Sequence, residues 1–231
     1  MNPLTPGDGH VFGVLAYDVG HLLGGAVLVL SFGLLYQRRT SAVISLYGTQ
    51  AMVLAAAAAW QAWVQSAPEL YLTAAITLAA KGVLMPMALR RIATRMAVHR
   101  GVEAAMGIFP SMAAGVCVVA LAVLAVMPTA LQSAALTRED LALALSVILL
   151  GVLMMITRRS ALAQVIGFLS MENGLILAAI GVAGMPLVVE LSVAVLVLVA
   201  FVVFAVLVFR IRGHFQSLDT GHLDTVLRGR E

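Results

Sequence analysis

Residues 161–182 read ALAQVIGFLSMENGLILAAIGV, and Glu172 is the one charged residue of this stretch. A helix of this length spans roughly 30 Å of hydrocarbon at about 1.5 Å per residue. A carboxylate at the centre of such a helix costs roughly 2.5–3.5 kcal/mol to insert into the bilayer. Glu172 therefore marks a candidate site for ions, protons or a partner helix.

The composition of the whole chain predicts a membrane protein. Of the 231 residues, 62% are hydrophobic and 11% are charged, whereas soluble domains are about 25% charged and about 45–50% apolar. The mean hydropathy is +1.04. No soluble core could use this much apolar surface, so we predict an all-α membrane protein that crosses the bilayer several times.

Seven apolar segments are long enough to be transmembrane helices. They cover 14–36, 41–64, 68–89, 104–127, 139–157, 161–182 and 186–210. Arginines follow the odd-numbered segments, so that twelve of the 14 Lys and Arg residues fall on one side of the membrane. The positive-inside rule then predicts an outward N-terminus and a cytoplasmic C-terminus. The net charge of +3 is thus a topology signal, and no nucleic-acid partner is predicted.

An internal repeat relates the two halves of the chain. The residues VISLYGTQAMVLAAAA from Val43 align without gaps with VIGFLSMENGLILAAI from Val165, which puts Gln50 at the position of Glu172. Both copies have the same orientation, so we predict two parallel three-helix repeats joined by a fourth helix. The predicted parts are an outward segment 1–13, a first repeat 14–103, a linking helix and outer loop 104–138, a second repeat 139–212 and a cytoplasmic amphipathic tail 213–231.

Two further ionisable residues lie inside apolar segments. Lys81 is near the middle of the third segment, and Glu190 is in the seventh. A buried lysine or carboxylate can change its protonation state near neutral pH, as a proton relay requires, but it can equally form a permanent ion pair. The short loop between the sixth and seventh segments places Glu172 and Glu190 about 12–14 Å apart, too far for direct proton transfer.

The other polar positions are weaker candidates. A glutamine at midmembrane, such as Gln50, more often forms hydrogen bonds between helices than an ion path. Asp18 and His21 lie one turn apart near the outward end of the first segment, where they could form a local acid–histidine pair or a proton exit. Two such ligands do not predict a metal site. The sequence contains no nucleophile–base pair and no phosphate loop, so no catalytic residue, cofactor or metal is predicted.

The residues around Glu172 resemble a known family. The segment Ile166–Asn173 (IGFLSMEN), which follows an arginine pair, resembles the hydrogenase-4 component E family. The segment Lys81–Pro86 (KGVLMP), followed by Arg90 and Arg91, is similar to the third helix of that family, and Phe215–Thr220 (FQSLDT) to its C-terminal signature. The second repeat is more distantly similar to the K subunit of respiratory complex I and the C subunit of Mrp-type antiporters.

The resemblance implies a non-catalytic membrane-arm subunit of a complex I-like or hydrogenase-4-like respiratory complex. Such a subunit lies in the bacterial or archaeal cytoplasmic (inner) membrane beside antiporter-like and other membrane-arm subunits, and the tail 213–231 offers a docking segment. Two glutamates of the K-type subunits are implicated in proton transfer. Glu190 matches the second by position, and Glu172 is about one helical turn from the first. Glu172, Glu190 and Lys81 are therefore proton-relay candidates for proton or sodium translocation.

Two other functions fit the same residues. The chain could be a purely structural or assembly subunit without an ion path, in which the buried charges only join helices. It could also be a stand-alone proton-coupled transporter that uses Glu172 as its exchange site. The three hypotheses differ in whether the purified chain moves ions and in whether Glu172 is needed for pumping by a complex.

Overall fold

The structure, a computed structural model, describes residues 8–95, 107–127 and 135–181. All regular elements in these ranges are helices: α1 (Asp8–Tyr36), α2 (Thr40–Val64), α3 (which runs through Pro68–Ile76, Thr77–Leu84 and Met85–Arg95), α4 (Ile108–Val126), α5 (Ala135–Thr157) and α6 (Ala161–Gly181). The described residues belong to the first of two compact units, Met1–Leu187 and Val188–Glu231.

Six of the seven predicted spans fall in the described ranges, and each corresponds to one helix. All six helices contain an apolar stretch long enough to cross a membrane. The prediction of a helical membrane protein is thereby confirmed for this part of the chain. The seventh predicted span with Glu190, and the tail 213–231, lie outside the described residues. The predicted orientation and the division into repeats stay predictions.

Contacts at the helix ends show that the helices alternate in direction. Gln65, just after α2, donates a hydrogen bond of 3.0 Å to the carbonyl of Ile180 near the end of α6. Arg90, late in α3, donates to Ser45, early in α2, at 3.1 Å. The arginines and the surface carboxylates consequently separate. We call one end of the bundle the arginine end (Arg38, Arg39, Arg90, Arg91, Arg158 and Arg159) and the other the acidic end (Asp18, Glu69, Glu139 and Asp140).

Helices α2 and α6 lie at the centre of the described bundle. The buried share of the apolar span is 56% in α2 and 61% in α6, against 17% in α4. Gln50 and Glu172 are on these two central helices, and both are fully buried. The polar residues that would cost most free energy in contact with lipid are thus surrounded by protein.

The turn between α2 and α3 follows from its local sequence. Ser66 has a φ of 53°. Its N–H donates to Trp63 O at 3.3 Å, and the N–H of Ala67 donates to Ala62 O at 3.1 Å. This is the pair of bonds of a Schellman motif, and Pro68 then starts α3 at a position where a missing N–H costs nothing. The turn makes α2 and α3 antiparallel neighbours.

Helices α5 and α6 touch backbone to backbone. A Cβ added to Gly151 of α5 would lie 2.6 Å from the N of Met171, and one added to Gly174 of α6 would lie 2.8 Å from the N of Ile148. Small residues permit this close approach, because nothing stands between the two main chains. The position of α6, and with it that of Glu172, is therefore set by glycines.

Arg158 is a buried cap and not a loop charge. It is 3% exposed, and its Nη2 donates to the carbonyls of Leu34, Leu35 and Gln37 at 3.3, 2.6 and 2.8 Å. These carbonyls end α1, where the last turn lacks intrahelical donors and the helix dipole favours a cation. Burial, with a smaller effect from Arg38, lowers the pKa of the Arg158 guanidinium. The sequence pattern treats this residue only as a topology signal.

Arg158→Met is expected to destabilise the protein because it removes this cap while keeping the apolar stem. Hydrogen bonds that involve a charged group contribute roughly 1.5–3 kcal/mol each, so we expect a loss of about 2 kcal/mol or more. Thermal unfolding of the full chain in mild detergent measures it. Arg159→Met is the matched control, because Arg159 is exposed. Equal effects of the two changes would contradict the capping role.

Candidate functional site

Lys81 and Glu172 meet in the interior of the bundle. The Nζ of Lys81 on α3 lies 2.9 Å from Oε1 of Glu172 on α6. Lys81 is 5% exposed and Glu172 is 1% exposed. Two opposite charges at this distance and burial attract strongly, because little water screens them. Each charge is costly in the bilayer without the other.

A π-helical segment carries the lysine. Residues Thr77–Leu84 form this segment within α3, and the N–H of Met85 donates to Ala80 O, five residues earlier. Pro86 follows, which has no N–H to donate and whose ring crowds the carbonyl four residues before it. Gly48 of α2 packs against this region, since a Cβ there would lie 3.1 Å from Pro86 Cγ. The wider turn changes the face on which Lys81 lies, and π segments are frequent at functional sites.

A chain of polar side chains leads away from the pair across two more helix contacts, α6 with α2 and α2 with α1. Lys81 Nζ donates to Asn173 Oδ1 at 3.1 Å, and Asn173 Nδ2 donates to Gln50 Oε1 at 3.2 Å. Gln50 Nε2 donates to Ser31 Oγ at 2.8 Å and to Ser170 Oγ at 3.1 Å. All five residues are buried. The chain therefore joins α3, α6, α2 and α1 inside the bundle.

The ammonium fixes the direction of every bond in this chain. Lysine has no acceptor, so the oxygen of Asn173 must face it and the amide NH₂ must point to Gln50. The same argument turns the NH₂ of Gln50 to the two serines, and the Ser31 hydroxyl then donates to Val27 O at 2.9 Å. A network with one consistent donor direction holds its members in place. Amide side chains do not take up or release protons at neutral pH, so this network holds groups in place and does not conduct protons. We call the hydrogen-bonded side chains of Asn173, Gln50, Ser31 and Ser170 the positioning chain.

Three buried oxygens at the site have no hydrogen-bond partner among the described residues. They are both carboxylate oxygens of Glu172, of which Oε1 lies in ion-pair contact with Lys81, and the hydroxyl of Tyr47. Tyr47 is 0% exposed and precedes Gln50 by three residues on α2, so both side chains are on the same face. Oε2 of Glu172 and the Tyr47 hydroxyl are thus polar atoms of the site that form no hydrogen bond with the positioning chain.

Gln50→Leu and Tyr47→Phe are expected to differ in their effect on stability. The first change removes the acceptor of the buried Asn173 Nδ2, which costs about 1–3 kcal/mol. The second removes a hydroxyl without a described partner, so the change should stay within about 1 kcal/mol of wild type. Thermal unfolding of both variants in detergent tests this difference. A larger loss for Tyr47→Phe would show that its hydroxyl has a strong partner.

A second polar cluster lies at the acidic end. Tyr17 donates a short hydrogen bond to Oε2 of Glu139, and the rings of Tyr17 and His21 stack with centroids 5.7 Å apart. The Nδ1 of His21 is 3.7 Å from Oδ1 of Asp140 and 3.8 Å from Oε2 of Glu139. His21 thus faces the carboxylates of α5, and Asp18 is exposed. No three His, Cys, Asp or Glu residues in the described ranges form a group that could hold a metal ion.

The structure joins three of the candidates that the sequence indicated. Lys81, Glu172 and Gln50 belong to one network, and the glutamine makes interhelical hydrogen bonds, the role its position favoured. Glu190 lies outside the described residues. The sequence did not single out Asn173, Ser170, Ser31, Tyr47, Tyr17 or the α5 carboxylates as site residues. The one available signal was that Asn173 follows Glu172 directly on a helix that is otherwise almost wholly apolar.

The chain is similar over most of its length to known bacterial proteins. It is 28% identical over 211 residues to Hydrogenase-4 component E of Escherichia coli, with 90% of this chain and 96% of that protein covered. The protein of the same name from Shigella flexneri gives the same values. An uncharacterized protein of Mycobacterium tuberculosis, Rv0085, is 28% identical over 203 residues, or 86% of this chain and 91% of the relative.

These similarities confirm the resemblance seen in the motifs around Glu172 and Lys81. They extend it from short segments to nearly the whole chain. No family model matches the chain. No solved structure matches it either.

Proposed function

We propose that the chain is a non-catalytic membrane subunit of a hydrogenase-4-like respiratory complex, where it helps to couple redox chemistry in other subunits to proton or sodium movement. The similarity to Hydrogenase-4 component E supports the place in such a complex. The six membrane-length helices support a multi-pass membrane position, and the bacterial relatives support the cytoplasmic (inner) membrane of a bacterium or archaeon. Antiporter-like membrane subunits are the expected neighbours.

The observation that carries the coupling role is the buried contact between Lys81 and Glu172. The charge on each residue stabilises the charged form of the other, because their attraction is weakly screened. Protonation of Glu172 would remove that attraction, and the ammonium would then keep its hydrogen bond to Asn173. The pair can thus hold two charge states in one backbone arrangement. A partner subunit that presents or withdraws a charge nearby would favour one of them.

The positioning chain constrains the route of a proton. Asn173 and Gln50 cannot relay it, so a proton has to reach Glu172 from the side of its Oε2 and of Tyr47. Glu190 is the candidate next site on the proton route, and the cluster of His21 with Glu139 and Asp140 is the candidate exit at the acidic end. The remaining steps need water or groups from partner subunits. This requirement favours a complex over a stand-alone transporter.

The decisive experiment is Glu172→Gln in the assembled complex. Proton pumping is expected to fall by roughly a hundredfold or more, the contribution of a positioned acid–base group, while electron transfer continues. Ion flux in proteoliposomes and redox turnover of the same preparation are measured together. Native gel electrophoresis checks that the complex still assembles.

Matched variants separate the alternatives. Glu172→Asp keeps a carboxylate and should retain part of the pumping, and Leu175→Ala, at an exposed position of the same helix, should leave it intact. Normal pumping by Glu172→Gln would leave the structural role as the better explanation. Proton-coupled flux through the purified chain alone would instead establish a stand-alone transporter.

A further inference from the structure

A groove of about 500 Å³ runs along the outer surface between α2 and α3. Gly48 and Gly82 form its floor, because neither has a side chain to fill the space. Met52, Val83 and Met87 line its walls, and these three side chains are 47%, 48% and 49% exposed. The groove therefore opens to the surroundings of the bundle and is separate from the buried Lys81–Glu172 pair.

The mouth of the groove is strongly basic. Arg90 and Arg91 line it at the arginine end, and both are exposed. Ser45 accepts a hydrogen bond from Nη2 of Arg90 and so holds this guanidinium at the mouth. A guanidinium has five N–H donors, arranged to match phosphate oxygens. Asp18, Glu69, Glu139 and Asp140, the carboxylates outside the interior whose side chains the structure describes, are all at the opposite end.

The length of the groove matches one leaflet of a bilayer. It extends from Arg91 to Gly82 on α3, a helix rise of about 14 Å, against about 15 Å for half of the hydrocarbon core. If the exposed arginines lie at the membrane interface, as their charge requires, the apolar walls lie at acyl-chain depth. A transmembrane helix of a partner would need a groove that crosses the whole bilayer. The dimensions and the charge therefore favour a lipid.

We propose that this groove binds an anionic phospholipid, with the phosphate at Arg90 and Arg91 and one acyl chain against Met52, Val83 and Met87. The attraction of anionic headgroups to arginines at a membrane surface provides the selectivity. The glycine floor provides room for the chain. The proposal does not depend on the function proposed above.

The test measures lipid binding by the full-length chain in mild detergent. The delipidated protein is titrated with phosphatidylglycerol or with phosphatidylcholine, and bound lipids are counted by native mass spectrometry. Each arginine is expected to contribute roughly fivefold to the preference for the anionic lipid. Arg90→Gln combined with Arg91→Gln should therefore remove most of that preference. Arg38→Gln combined with Arg39→Gln is the matched control, because these exposed arginines are at the same end but do not line the groove.

A steric pair of variants tests the groove itself. Val83→Trp fills it and should abolish the bound lipid, whereas Leu84→Trp, at the adjacent exposed position outside the lining, should not. Equal binding of the two lipids would overturn the proposal, as would equal losses in the two arginine pairs. Displacement of the lipid by soluble glycerol phosphate would show a phosphate site without a lipid chain. Loss of complex assembly by Val83→Trp with lipid binding unchanged would assign the groove to a partner protein.

Discussion

Lys81→Met is expected to lower the free energy of unfolding by about 3–5 kcal/mol, the usual cost of removing one member of a buried ion pair. Methionine keeps the length of the side chain but leaves the carboxylate of Glu172 without its cation. Oε2 of Glu172 has no hydrogen-bond partner among the described residues that could compensate. Asn173 also loses the donor that orients its amide. Thermal unfolding in detergent should show a midpoint lower by roughly 10 °C.

The double variant Lys81→Met with Glu172→Gln isolates the charge interaction. Replacing both members of a buried pair by neutral groups is often close to neutral in stability. We therefore expect the double variant to recover most of the loss and to be more stable than Lys81→Met alone. A double variant no more stable than the single one would show that the two charges do not depend on each other. The function proposed here would still fail in the double variant, which separates stability from coupling.

The helices could be predicted from the sequence because their causes are local. Apolar length and arginines placed the second span at 41–64, and α2 is Thr40–Val64. The third span was predicted to end at 89, but α3 continues to Arg95. Arginines end the apolar segment and not the helix, since a helix can continue into water. In the same way α5 starts at Ala135, before its apolar stretch.

The partner of Lys81 could not be predicted, because its direction depends on two non-local causes. The π segment Thr77–Leu84 changes the helical phase, so an extrapolation at 3.6 residues per turn gives the wrong face. The approach of α6 depends on glycine contacts with α5. The sequence therefore left open whether a glutamate of this chain or of a neighbour faces the lysine. His21 is a similar case, because its carboxylate neighbours are on α5, far along the chain.

Gln50, which the predicted repeat aligns with Glu172, makes hydrogen bonds with the helix that carries Glu172. Helices α2 and α6 are both central and both begin at the arginine end, so they are parallel. Parallel repeats related by an axis along the membrane normal place equivalent residues at equal depth. Gln50 contacts Ser170 and Asn173, on either side of Glu172. Gln50 thus joins α2 to the helix that carries Glu172.

Gly151→Leu is expected to be among the most damaging changes on α5. Even its Cβ would lie 2.6 Å from the N of Met171 and 2.8 Å from the O of Gly167. Both are backbone atoms, so no change of side-chain rotamer relieves the clash, and α5 and α6 must separate by about 1 Å to reach ordinary contact distances. Overpacking of this kind costs about 1–3 kcal/mol or more. It opposes the gain of roughly 0.8–1 kcal/mol that leucine brings over glycine in a helix.

Gly25→Leu is the matched control, because a Cβ at Gly25 of α1 has no neighbour within 4 Å. Here the helix propensity acts alone, and stability should rise or stay unchanged. The two variants should also differ at the site. Met171 directly precedes Glu172, so a shift of α6 at Gly151 moves the carboxylate relative to Lys81, and the loss of pumping should exceed the loss of assembled complex. If Gly151→Leu assembled and pumped normally, the glycine contact could not be what holds Glu172 in position.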